Sequence, residues 1–289
     1  MKWLRQYGLY ICFFLLALAM LFIWLHVFAK TRVGELKVAI LDIGQGDSIY
    51  IQSPTGVEVL IDGGPDASVL RELPKVMAYG DRTIDAVIAT HQDADHIGGL
   101  VDLIPRYEIK NFIEPGIPKS TATALKMEQE VDVAGIPRAQ AYRGMWLDLG
   151  GGARLDILFP DFDVKTLSED KGNDGCVMAH LVYKNTSALF TCDAPQEVED
   201  HLIAISTSTD LKSDVLKVGH HGSKYSSSNE WLDAVAPEFA AISVGAHNRY
   251  GHPTQETLGR LAAHNIPTYR TDEAGTIVFV SNGEVFIKK

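Results

Sequence analysis

Residues Ala89–Leu100, ATHQDADHIGGL, constrain this chain more than any other stretch. The apolar run DAVIAT leads in, and two histidines and two aspartates follow between His91 and His96. Gly98 and Gly99 then open what reads as a helix from Gly98 to Arg106, with glycines that let it pack closely. A strand crossing the interior must therefore deliver four ligand-type side chains at its end. Residues two apart in extended chain project the same way. His91 and Asp93 can share one ligand set, and Asp95 and His96 can point at a neighbouring position. A lone aspartate here would be a helix N-cap; four such side chains together point to a metal.

Other apolar strands end in the same manner. LFTCDA delivers Asp193, and LKVGHHGS delivers His220 and His221. Asp193 could bridge two metals or cap the helix expected over Pro195–Ala204. His220 and His221 alternate in direction, so one of them is expected to be a ligand. Two-metal sites use such mixtures of imidazole and carboxylate to activate water and clamp a transferring group.

Between these points the pattern alternates strands and helices. LKVAILDIG, SIYIQSP and VEVLIDGG read as strands with Gly and Pro at their corners. Helices are expected at Ser68–Tyr79, Ala122–Gly135 and Thr254–Asn265, and over WLDAVAP. NFIEPG, ARLDILFP and FAAISVG read as strands. Hairpins are expected across Asn185–Ser187 and at Asn282–Gly283. Each half runs strands first, then helices. Two such halves can stack sheet on sheet with helices on both outer faces. No linker-like segment divides them, so the expectation is one domain over 35–289, behind an anchor and short linker at 1–34.

That anchor rests on Gly8–Ala29, which carries no Asp, Glu, Lys or Arg. As a helix it would rise roughly 33 Å, enough for a bilayer core. A signal peptide cleaved after Val27 and Ala29 is the alternative. Lys2 and Arg5 precede the span, and Lys30 and Arg32 follow it. With the α-amino group, the balance favours the N-terminus in the cytoplasm and the domain outside a bacterial-type cell membrane. Setting aside Lys2, Arg5 and Lys30 leaves 23 basic residues against 37 acidic ones, a net of about −14. Such a balance argues against a broad nucleic-acid-binding face, but bound divalent ions would reverse the potential locally. Cys176 and Cys192 are expected to be two buried thiols, with a disulfide as the alternative in an oxidising compartment.

THQDADHIGG resembles the signature of the metallo-β-lactamase superfamily, usually His-x-His-x-Asp-His, with Asp93 in place of the second histidine. Together with LDIGQGDSIYI, VLIDGG, LKVGHHGS, NRYGHP and YRTDEAG, it is similar to the soluble domain of ComEC-type competence proteins, over about Leu36 to Phe286. The resemblance implies an α/β, four-layer αββα sandwich. It also implies one metal on His91, Asp93 and Asp193, and another on Asp95, His96, Asp193 and a histidine of GHHGS. His221 is favoured there over His220, because Gly222-Ser223 follows it. A further histidine common in the superfamily is missing. Asn173 or Asp174 of GNDGC could stand in, with His180 as an alternative inside an apolar strand. Two divalent ions, zinc or manganese, are expected; the aspartates move the balance towards manganese.

In NRYGHP, Asn248 and Gly251 suit a tight turn. Asn248 and Arg249 could meet an anionic substrate, and His252 could bind phosphate or protonate a leaving oxygen; a purely structural turn is the alternative. Lys224, Tyr225 and Ser226–Ser228 could form a phosphate loop or a solvated one. The implied activity is a phosphodiesterase or nuclease acting on DNA, with Asp95 and His252 in the catalytic group. The implied partners are DNA, the membrane and a competence-type channel. The multi-helix channel of full-length competence proteins has no counterpart in these residues, so DNA uptake is not carried over. Competing expectations are a hydrolase of a lactone, thioester or β-lactam, and a non-catalytic metal-bound module.

Overall fold

The computed structural model describes residues 2–30 and 34–289. The linker at 31–33, with Arg32, lies outside the described residues, as do the side chains of Lys2, Arg5, His26, Val27, Ala29 and Lys30. The N-terminal helix runs Lys2–Lys30, and its Tyr7–Trp24 portion has mean hydropathy 2.2 with none of it buried. By length and composition it is a candidate membrane span.

Two mixed sheets form the centre of the rest. The eight-stranded one is ordered Phe286–Lys288, Ile277–Ser281, Leu36–Ile40, Ile49–Gln52, Glu58–Ile61, Ala86–Ile88, Phe112–Glu114, Arg138–Gln140. The seven-stranded one is ordered Thr268–Arg270, Phe239–Ile242, Val215–Lys217, Thr186–Phe190, Met178–Tyr183, Ala153–Phe159, Trp146–Gly150. Alternation assigns the faces. In Leu36–Ile40, residues Leu36, Val38 and Ile40 pack between the sheets against Leu155, Leu181 and Phe279. Ala39 faces the other way, into the layer under the helices Val69–Val76, Ala94–Leu103 and Ala122–Ala134. The helices Gln196–Ile205, Asn229–Val235 and Gln255–Ala263 cover the second sheet's outer face through Leu202, Trp231 and Leu261. The result is the expected αββα sandwich.

Within each sheet the chain turns from antiparallel to parallel pairing. Glu58–Ile61, Ala86–Ile88 and Phe112–Glu114 are parallel neighbours. So are Thr186–Phe190, Val215–Lys217 and Phe239–Ile242. Parallel strands send all their C-terminal ends to one edge, where α/β proteins bind ligands. His91, Asp193, His220 and His221 all follow such ends.

Several local boundaries differ from the sequence expectation. The first helix of the domain stops at Val76 rather than Tyr79: Pro74 lies inside it, and Met77, with extended backbone, ends it by donating its N–H to Leu73 O. The next begins at Ala94, before Gly98. Asp93 sits at its N-cap position with extended backbone, yet its carboxylate caps nothing. A Cβ on Gly98 or Gly99 would lie 2.1 Å from Pro65 O or 2.0 Å from Gly63 O. That is why this helix, which carries Asp95 and His96, can lie so close to the loop after Asp62. The expectation of two free thiols is overturned: Cys176 and Cys192 form a disulfide, with Cα atoms 6.5 Å apart. The cause is the predicted hairpin itself. Its register, Ala179 opposite Phe190, extrapolates to Val177 opposite Cys192, and the positive φ of 40° at Cys192 breaks the strand alternation there, so that Cys192 packs in the same apolar layer as Cys176.

Candidate metal centre

Three imidazoles turn the same edge towards the pocket. His96 Nδ1 lies 2.8 Å from Asp62 Oδ2, so it donates and leaves the Nε2 lone pair free. His221 Nδ1 donates to Ser243 O at 3.0 Å, with Asp47 Oδ1 at 3.2 Å. Thr90 Oγ1 donates to Asp62 Oδ2 at 2.7 Å and faces His91 Nδ1 at 3.1 Å, so the hydroxyl oxygen accepts from the ring. The Nε2 atoms of all three rings are buried without a hydrogen-bond partner, as is Asp193 Oδ1. Buried polar atoms are normally satisfied, and each exception needs a cause.

Asp95, His96, Asp193 and His221 bring one ligand atom each to within 4.8 Å of one another. Asp193 Oδ1 is 3.4 Å from His96 Nε2, and its Oδ2 is 3.4 Å from His221 Nε2. His221 Nε2 is 3.6 Å from Asp95 Oδ2. These are ion-pair separations without hydrogen-bond geometry, and a divalent ion among the four would satisfy every orphaned atom in the set. The residues therefore fit the metal. Asp47, Asp62 and His96 also converge. There, however, Lys217 pairs with Asp47 at 2.7 Å, and Thr90 and His96 hold Asp62.

The electrostatics describe a proton waiting for a cation. Burial would raise the Asp193 carboxyl, but His221 and His96 hold it well below the carboxylate range. Burial would lower His96 and His221, but Asp193, with Asp62 or Asp47, lifts both rings well above the imidazole range. An ion must displace that proton, so metal affinity falls as pH falls. His91 is lowered, first by burial and then by His96, and stays neutral.

The remaining candidates separate. His91 Nε2 is 3.7 Å from Asp93 Oδ2. His220 and His221 do not diverge as strand neighbours. Both lie beyond the strand in a turn at Gly219–Gly222, with φ of 48° and 53°. Both reach Asp193 Oδ2, His220 at 3.6 Å, but the His220 side chain is 31% exposed and that of His221 only 1%. His252 lines the same cavity, of about 120 Å³, with Gln45, Asn173 and Tyr250. Burial, then His220 and His221, lower its pKa and favour the neutral ring. Acting as a general acid would need the charged form that those neighbours oppose. Asn248 shapes the turn that presents His252, donating to its O at 2.6 Å and accepting from its N at 3.0 Å. Arg249 is exposed and lies over the Tyr250 ring at 5.0 Å. Lys224 Nζ lies over Tyr225 at 5.1 Å, and Lys224 does not line this cavity. Asp174 turns into an adjoining cavity of about 690 Å³, and His180 is buried in its strand.

The expected phosphate loop at Ser226–Ser228 is corrected. All three serines are buried, and Glu199 accepts from the N–H groups of Ser227 and Ser228 at 2.5 and 3.0 Å. Their backbone donors are spent on a carboxylate, not offered to a phosphate. Burial, opposed by those N–H groups, pushes Glu199 up to about 7. The unfolded chain releases this proton near 4.5 while the fold keeps it. Stability present below that pH is therefore lost as pH rises towards 7, by on the order of 3 kcal/mol. Denaturant unfolding across pH 4.5–7.5 should show that slope in the wild type and not in Glu199→Gln; equal slopes would refute it.

Sequence reasoning did not single out Asp47, Asp62, Lys217 or Lys119. Asp47 and Asp62 lie inside motifs it quoted. Lys217 had a signal, a lysine within DVLKVG. Lys119 had none.

A fold of this kind, with ligands of this kind at the parallel strand ends, agrees with a family model. The Metallo-beta-lactamase superfamily model matches residues 41–247. The chain belongs to the metallo-beta-lactamase superfamily. It is 32% identical over 266 residues to "ComE operon protein 3" of Bacillus subtilis (strain 168), covering 85% of this chain and 33% of that one. It is 31% identical over 249 residues to "Competence protein ComA" of Neisseria gonorrhoeae, covering 85% and 32%. The chain thus spans about a third of the length of these relatives. Among solved structures, the metallo-beta-lactamase fold protein YhfI of Bacillus subtilis is similar with TM-score 0.55 at 13% identity, covering 85% of this chain and 99% of that one. Igni18, a metallo hydrolase of Ignicoccus hospitalis, is similar with TM-score 0.55 at 16% identity, covering 84% and 98%. At those identities the likeness bears on the fold alone.

Within this superfamily fold, burial separates the adjacent histidines. His221→Ala should lower metal-dependent turnover by about 100-fold or more, and His220→Ala by less than about tenfold. Steady-state rates of the two variants decide, and the reverse order would move the ligand to His220.

Proposed function

We propose that this chain is a membrane-anchored, metal-dependent phosphodiesterase acting on DNA. The observation that carries the reading is the convergence of buried, unpartnered ligand atoms on Asp95, His96, Asp193 and His221 at the parallel strand ends. A second position on His91, Asp93 and Asp193 would complete a pair of ions, zinc or manganese. Bound there, the metal supplies Lewis acidity towards a phosphoryl oxygen and acidifies water. Asp193 would serve both positions: its two oxygens face His96 and His221 of the first, and its charge acts on His91 of the second. Asp62, Thr90 and Ser243 hold the rings so that each Nε2 faces inward. His252 offers an N–H at the pocket wall, and Arg249 beside it can reach an anionic substrate.

DNA is favoured as substrate by the similarity to proteins named for competence. The acidic net charge of −11 opposes long-range attraction, so binding is modest and activity falls as salt rises. Residues 1–34 serve as anchor and linker, and 35–289 as the hydrolase. The Cys176–Cys192 disulfide supports an extracytoplasmic domain, because such bonds persist in oxidising compartments. A competence-type channel is the partner this placement suggests.

The test uses the full-length chain in detergent, loaded with manganese or zinc. Cleavage of single- and double-stranded DNA is followed across a salt series, beside nitrocefin turnover. Manganese- or zinc-dependent DNA cleavage that weakens with salt is expected. Nitrocefin hydrolysis without phosphodiester cleavage would replace this reading with the carbonyl-hydrolase one.

A further inference from the structure

The two sides of the centre carry different charge. Among the described residues, no lysine or arginine pairs with Asp95, Asp193, His96 or His221; their ion pairs are with one another and with His220, Asp62 and Asp47. Asp93 differs, because Lys119 Nζ donates to its Oδ1 at 2.8 Å. The Lys119 side chain is only 15% exposed and makes a second bond, to Glu169 O at 2.9 Å. Its neighbour Ser120 binds Glu169 Oε2 through both Oγ (2.8 Å) and N (3.2 Å). The segment carrying Lys119 is thus strapped to the turn Glu169–Gly175. That turn lies against the same side of the centre: a Cβ on Gly172 would be 3.7 Å from His91 Cδ2 and 3.9 Å from Asp93 Oδ1. Its far end is tied down at Cys176 by the disulfide.

We propose that Lys119 is a resident cation on the His91–Asp93 side, so that the two ion positions load unequally. The position of Asp95, His96, Asp193 and His221 fills first. An ion at His91 and Asp93 must share the Asp93 carboxylate with the Lys119 ammonium, which holds Oδ1 while His91 Nε2 faces Oδ2. The inference rests on the metal-centre reading above and deepens it. The chemistry follows from the residue at position 93. A histidine there would offer a lysine no carboxylate, whereas Asp93 offers one and Lys119 pairs with it. Like charge so close opposes an incoming divalent ion, and two bonds, to Asp93 Oδ1 and Glu169 O, keep the ammonium in place.

The experiment titrates manganese into the metal-free, full-length chain in detergent by calorimetry, with metal analysis of the loaded protein. The wild type should show one tight ion and a second at least about tenfold weaker, the amount a charge-assisted hydrogen bond is worth. Lys119→Met should tighten the second ion by about tenfold or more and leave the first unchanged. Lys119→Gln, which keeps a polar partner for Glu169, should move the second ion in the same direction. Ser120→Ala, which loosens the strap and keeps the charge, should leave the gap between the ions largely in place. Two ions of equal affinity in the wild type would overturn the proposal, as would a second ion unaffected by both Lys119 variants. No manganese binding at all would bring down the metal-centre reading, and this inference with it.

Discussion

Asp193→Ala is expected to retain neither ion and to cleave phosphodiesters at the background rate. Asp193 is buried between His96 and His221, 3.4 Å from each Nε2, and its charge is also felt at His91, on the other side of the proposed centre. Removing it takes a ligand from both positions and leaves two imidazoles without the carboxylate that raises them. Asp93→Ala touches one side only, so it should weaken one ion and keep the other. Metal analysis of the two purified variants, beside their rates, makes the comparison. Two ions retained in Asp193→Ala would end the bridging assignment, whatever the activity.

Lys217→Met should cost about 3–5 kcal/mol of stability, the usual consequence of removing one partner of a buried ion pair. Lys217 has no exposed surface; its Nζ bonds Asp47 Oδ2 at 2.7 Å and Val218 O at 3.0 Å. Burial would raise the Asp47 carboxyl, but Lys217 and His221 keep it below its ordinary range. Without the lysine, a buried carboxylate loses its nearest cation and is left with His221, which the Asp193 carboxylate also claims. The loss corresponds to roughly 10 °C in Tm for a domain of this size. Adding Asp47→Asn removes the stranded charge and should recover a good part of it. Guanidinium unfolding of both variants gives the cycle; a Lys217→Met chain within about 1 kcal/mol of wild type would show that the pair carries no such weight.

Those two sites were legible to different degrees. Asp193 stood out in the sequence because it ends an apolar strand, where a carboxylate is either a ligand or the cap of the helix that follows. His91, His96 and His221 were legible for the same reason, as were the candidate span, both hairpins and the order of strands and helices. These are local properties. They follow from periodicity, from turn residues, and from which side chains an interior run releases at its end.

Other features depend on which remote segments meet. Lys217 pairs with a residue 170 positions away, and Lys119 reaches Asp93 across 26. Asp62 holds His96 across 34. Cys176 and Cys192 pair because a hairpin brings them near one another and a positive φ at Cys192 turns the chain out of strand alternation. Ser226–Ser228 resemble a solvated polar loop until Glu199 is seen to accept their N–H groups from another helix. Adjacent His220 and His221 were expected to diverge as strand neighbours do, yet a turn with positive φ at both points them towards one aspartate. The sequence by itself determined which residue types would arrive at the strand ends and in what order. Only the tertiary structure decided their partners, because ion pairs and hydrogen bonds act over a few ångströms of space, and the packing of two sheets brings distant positions into that range.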